Sequence, residues 1–169
     1  AGLADLAVVT APAAIPEALH RIPLMDIHEV AVAGSTFAAL AQKPCSLEAL
    51  SRYPLISLGE QTGTYAFYAS LFAMHHLDFS PDIEAATADQ ILPMVKANLG
   101  VGFVPRLFVH EEDIGVTLYP IMLAQEIPPR NICLLHSACH VQSPAARELE
   151  RFLTQAAAIP SQRESQKEE

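Results

Sequence analysis

The chain has no tryptophan, only three cysteines, and ten Lys and Arg against 19 Asp and Glu in 169 residues. Each scarcity excludes something. A net charge of −9, with its cations scattered, leaves no basic stripe to neutralise phosphates, so this segment offers no nucleic-acid surface. Cys45, Cys133 and Cys139 are an odd, sparse set. They fit a reducing compartment, hence the cytoplasm, better than a disulfide framework. No run approaches the roughly 18 apolar residues of a membrane span. No charged segment followed by an apolar stretch reads as a secretory signal. The Walker loop, G-x-S-x-G, zincin and G-x-G-x-x-G patterns are all missing, so no enzyme reading stands out and no cofactor is expected.

What is present is a globular composition: 51% hydrophobic and 17% charged residues, enough for one domain or two small lobes. Leu6 to Val9 reads as a strand. "EALHRIPLMD" (17–26) reads as irregular or a short turn, because Pro16 and Pro23 bracket it. "HEVAVA" (28–33) is a strand, "SLEALSRYP" (46–54) a short helix capped by Ser46, and "LISL" (55–58) a strand. Gly59 to Thr64 is a loop before a helix over Tyr65–His76. A strand "IEAAT" (83–87), a helix ending at Leu99, and strands at 101–104, 115–121 and 131–136 follow. Ser143 caps a last helix with Pro144 in its first turn. Strands alternating with helices from Cys45 onward make the class α/β. The final "SQRESQKEE" is polar, and a flexible tail is expected at 161–169.

Three stretches invite chemistry. "CLLHSACH" (133–140) has zinc-type donors, but Cys133 and His136 lie three apart on a strand and face opposite sides, so no metal ligand is assigned. "KANLGVGFVPR" (96–106) predicts a left-handed Gly100 after a helix and a close backbone or ligand approach at Gly102. In "GEQTGTY" (59–65), Thr62, Gly63 and Thr64 would offer hydroxyls and backbone N–H groups at a helix N-terminus, an arrangement that favours anions. The alternative there is that Thr62 or Thr64 only caps the helix.

The order of elements resembles one family. "GLADLAVVT" (2–10), "EVAVAGSTFAALAQKPCSLEALSRYPLISL" (29–58), "ADQILPMVKANLGVGFVPRLF" (88–108) and "SPAARELERFL" (143–153) are similar, in the right order, to segments of the effector-binding domain of LysR-type transcriptional regulators. The resemblance implies two Rossmann-like lobes as in type 2 periplasmic binding proteins. Lobe I would be 1–34 plus 132–160, and lobe II 35–131, with crossings near 29–35 and 130–136. It implies a small polar or anionic effector between the lobes, bound by Thr10 and Ala11 on one side and Thr62, Gly63 and Thr64 on the other, with Thr87 a weaker member. It also implies a homo-oligomer, dimer or tetramer in the full-length protein, and DNA contact only through an N-terminal helix-turn-helix. That reader, and the first strand and helix of lobe I, are expected to be missing here. The alternatives are a stand-alone solute-binding protein of the same fold and a small α/β enzyme.

Overall fold

A computed structural model describes residues 4–10 and 16–158. Ala11, the motif residues Gly2 and Leu3, and the tail at 161–169 lie outside the described residues. In chain order the elements are β1 (Leu6–Thr10), β2 (Leu19–Ile27), β3 (Glu29–Ala33), α1 (Leu47–Leu50), β4 (Leu55–Leu58), α2 (Gly63–Met74), β5 (Ile83–Ala85), α3 (Ile91–Lys96), β6 (Val101–Pro105), β7 (Tyr119–Ile121), β8 (Arg130–Ser137) and α4 (Pro144–Ala157). The described residues fall into two compact units: those up to Ile27 with those from Arg130 onward, and His28–Pro129. The chain thus crosses at 27/28 and 129/130, not at 34/35 and 131/132. The reason is pairing. β3 is hydrogen-bonded to β6 and β7, which draws 29–33 into the second unit. Arg130 and Asn131 pair with Ile27 and Asp26 in the first.

The second unit is a five-stranded sheet in the order β5-β4-β6-β3-β7. β4 runs parallel to β5 and β6, while β3 is antiparallel to β6 and β7. Strand alternation sends side chains to two buried faces. Leu55, Val101, Phe103 and Ala31 pack with Leu47 and Leu50 of α1 and with Tyr68, Leu71 and Phe72 of α2. Tyr68 stacks on Phe103 with ring centroids 4.6 Å apart. On the other face Ile56, Val32 and Val104 meet Ile91 and Val95 of α3. Helices on both faces of a mixed sheet, parallel through β5-β4-β6 and antiparallel through β6-β3-β7, make this the α/β arrangement expected.

The glycines around Val101 act sterically. A Cβ on Gly100 would lie 2.5 Å from the Pro54 carbonyl, and one on Gly102 2.6 Å from Ile91 Cγ2. Gly100 is not left-handed. Asn98 takes that conformation, at φ 61°, after a helix that ends at Lys96 rather than Leu99. Asn98 Oδ1 also accepts the Thr36 N–H at 2.8 Å, which holds the 3₁₀ turn at Ser35–Ala41. The space beside Gly102 is filled by α3, not by a ligand.

The first unit is a three-stranded antiparallel sheet, β1-β8-β2, with Cys133 and Leu134 fully buried in the central strand. β2 corrects the sequence reading of 17–26 as irregular. Pro23 has no N–H, yet β2 is an edge strand, and its register shifts between Pro23 and Met25. An edge with a bulge is where a strand tolerates proline. α4 packs against β2, and its Ser143 Oγ accepts the Ala146 N–H at 3.2 Å.

Candidate functional site

The turn after β4 carries the expected ligand residues of the second unit. Thr62 is the N-cap of α2, which begins at Gly63 rather than Tyr65. Its Oγ1 accepts the Tyr65 N–H at 3.1 Å and donates to the Gly59 carbonyl at 2.8 Å. Its own N–H goes to the same carbonyl at 2.9 Å. Both Thr62 donors are therefore used in building the turn. Gly63 is different: it is exposed, and a Cβ there would meet nothing within 4 Å. Among the described residues nothing accepts its N–H, one of the groups a helix start leaves without an internal partner. Thr64 is half-buried in the same first turn.

Thr87 follows β5. Leu58 and Ala85 are register partners on parallel strands, so the two turns leave the same carboxyl edge of the sheet. Ligands gather at that edge in open α/β sheets. Thr87 is exposed and leads a short 3₁₀ turn without a side-chain cap. The neighbouring Ala86 N–H is taken by Gln90 Oε1 at 3.0 Å. The edge also carries negative charge: Glu84 Oε1 would lie 2.2 Å from a Cβ on Gly59. Thr10 ends β1 opposite Ile132 in the first unit.

Two features escaped sequence reasoning. Ser57 Oγ, one residue before the end of β4, is buried and has no hydrogen-bond partner among the described residues. Nothing in a serine within "LISL" signals this, since burial is set by neighbouring strands. A cavity of about 310 Å³ in the first unit is bordered by Asp5, Leu19, Leu135, His136, Ser137 and His140, and by none of the expected ligand residues. Cys133 and His136 do lie on opposite faces of β8. Among the described residues, no group of three or more His, Cys, Asp or Glu side chains could hold a metal ion. Burial pushes the Cys45 thiol up, which leaves it protonated and unreactive.

The profile of the LysR substrate binding domain matches residues 1–158. The chain belongs to that family. A relative, the HTH-type transcriptional regulator CysB of Burkholderia cenocepacia, is 35% identical over 121 residues, covering 70% of this chain and 38% of that protein. The chain thus spans well under half the length of this LysR-family relative. Among solved structures, the Synechocystis PCC6803 CcmR regulatory domain in complex with 2-PG aligns at a TM-score of 0.78 and 18% identity, covering 92% of this chain and 74% of that one. The effector binding domain of QuiR in complex with shikimate aligns at 0.75 and 19% identity, covering 90% and 71%. At these identities the structural likeness carries the shared fold of LysR effector-binding domains. Among the described residues, no helix is long and apolar enough to cross a membrane.

Proposed function

We propose that this chain is the ligand-sensing regulatory domain of a LysR-type transcription factor, responsive to a small polar or anionic metabolite, cytoplasmic and without catalytic activity. The observation that carries the ligand site is the open N–H of Gly63, at the start of a twelve-residue helix and at the carboxyl edge of parallel strands. Solved relatives holding 2-PG and shikimate support a small polar ligand. Thr64 and Thr87 are secondary contributors. Thr62 acts by fixing the turn rather than by donating its hydroxyl hydrogen. Thr10 and Ala11 enter only through the family resemblance. Glu84 beside Gly59 favours a ligand that pairs its acceptor group with a hydroxyl or ammonium over a bare anion. Self-association and DNA contact through a separate reader domain complete the proposal.

Gly63→Pro is the incisive test. Gly63 is the first helical residue, where proline is welcome, and Thr62 already has the extended conformation a pre-proline residue prefers, φ −98° and ψ 147°. The change removes one N–H and little else. Calorimetric titration with a panel of small hydroxy acids and amino acids should find a ligand that binds wild type and Gly63→Ala alike. Gly63→Pro should bind it at least about tenfold more weakly, as expected for a lost hydrogen bond to a charged group of about 1.5–3 kcal/mol. Equal binding to all three refutes the site.

A further inference from the structure

His136 of β8 stands between two oxygen acceptors. Its Nδ1 lies 3.2 Å from the Ser137 carbonyl. Its Nε2 lies 4.0 Å from Oε2 of Glu150 on α4. A carbonyl and an ionised carboxylate only accept, and a neutral imidazole carries a single N–H. Either neutral tautomer therefore turns one lone pair toward an oxygen. The imidazolium has an N–H on each nitrogen and meets both acceptors. The Nε2–Oε2 distance is too long for a hydrogen bond, and a charge-assisted one would close it by about 1 Å. The His136 and Glu150 side chains are only 18% and 26% exposed, so salt screens the pair less than it would an open surface pair. Gln142 Nε2 donates to Glu150 Oε2 at 2.7 Å and holds the carboxylate in place.

We propose that His136 and Glu150 form a proton-operated latch that fastens α4 to the sheet of the first unit as pH falls. The charged groups around the ring allow it one proton. On β2, His20 is the register partner of His136, with ring centroids 5.1 Å apart, so a second imidazolium there would repel the first. The proton belongs on the ring that faces the carboxylate. Arg21, beside His20, points to the opposite side of the sheet and donates to Asn131 Oδ1 at 3.1 Å. On β1, Leu6 is the register partner of His136, and the adjoining Asp5 borders the same cavity, where its charge favours the imidazolium. In the turn after β8, His140 Nδ1 is engaged by Ser137 Oγ at 3.0 Å. On α4, Arg147 and Arg151 border a groove with Glu150, and Arg151 pairs with Glu148. Among the described residues, neither arginine reaches ion-pair distance of Glu150, so His136 is its cationic partner. The helix held by this contact presents the exposed Leu149 and Phe152, so the same proton sets how firmly that apolar face is seated.

An imidazole that gains an acceptor on folding binds its proton more tightly folded than unfolded. Its contribution to stability is fully present below the unfolded imidazole value near 6.5 and is lost as pH rises through the higher folded value. The test is hydrogen exchange of the α4 backbone amides in the whole chain, at about pH 5.5 and about pH 8, each corrected for the intrinsic exchange rate. Wild-type α4 should exchange at least about threefold more slowly at the lower pH. Glu150→Gln, which keeps the shape and the Gln142 contact but drops the charge, should bring that ratio to within about 1.5-fold of unity. His20→Gln, at an exposed position, and His140→Gln should leave the ratio at its wild-type value. Equal protection of wild-type α4 at both pH values overturns the proposal. So does a ratio preserved in Glu150→Gln, even with the helix looser at both pH values, since that is what a merely structural carboxylate would give. Loss of the ratio in His20→Gln also overturns it, because the responsive proton would then sit on His20.

Discussion

At the scale of single residues, glycines of similar appearance do opposite things. Gly102 lies under Ile91 and Val95, and an added Cβ would meet their methyl groups at 2.6 and 3.1 Å. Gly63 faces open space. We expect Gly102→Ala to destabilise the second unit by about 1–3 kcal/mol through overpacking against α3. Gly63→Ala should stay within about 0.5 kcal/mol of wild type. Urea unfolding followed by circular dichroism distinguishes them, and a neutral Gly102→Ala would mean that α3 yields more readily than its packing implies. The sequence marked both glycines as special without separating these roles. A glycine's meaning depends on what stands opposite the missing Cβ. The same holds for Thr62: nothing in the local sequence says what its hydroxyl touches, and its contacts with Gly59 and Tyr65 make it the cap of α2.

At the scale of elements, the end of α3 is tied to the turn at 111–113 by Lys96 and Asp113, 2.8 Å apart. The hydrogen bond from Lys96, and then that from Thr117 at 2.9 Å, hold the Asp113 carboxyl below its usual range. A carboxyl lowered in the folded state contributes stability that is fully present above its unfolded value near 3.9 and is lost as pH falls through the lowered folded value. Asp113→Asn should therefore be less stable than wild type at pH 7, with the gap narrowing below about pH 4. Urea midpoints measured from pH 7 down to the acid limb check this. A gap that persists unchanged at low pH would assign the effect to shape rather than charge. Elements with strong local signals were legible: Ser46 and Ser143 each cap a helix by accepting an N–H three residues on, whereas the choice between Thr62 and Thr64 as the cap of α2 fell to Thr62 only in the structure. Asn98 was not, because "ANLG" offers two candidates for the left-handed position. The Pro54 carbonyl beside Gly100 and the Asn98 bond to Thr36 settle which residue takes it.

At the scale of the whole molecule, charge and exposed apolar surface pull in different directions. A net charge of −9 opposes polyanions. The chain should show no retention of duplex DNA in gel shifts at low salt, and micromolar binding would contradict that reading. Leu149 and Phe152 on α4 and Val8 on β1 are 49%, 63% and 54% exposed, large apolar groups of a kind that mark association surfaces. Sedimentation should accordingly show concentration-dependent self-association, reduced in Phe152→Lys.

The α/β class, the strand–turn–helix around Thr62 and the capped final helix follow from the sequence alone, because their signals lie within a few residues. Hydrophobic period, cap residue and proline position act locally. Which strand β2 pairs with, and that it is a strand at all, was decided by the tertiary structure. Two prolines make residues 17–26 poor strand material by themselves, and the pairing that holds them comes from β8, at the far end of the chain. His20 meets His136 for that reason only, since register between distant strands is fixed by the packing of both and leaves no trace in the local spacing of either.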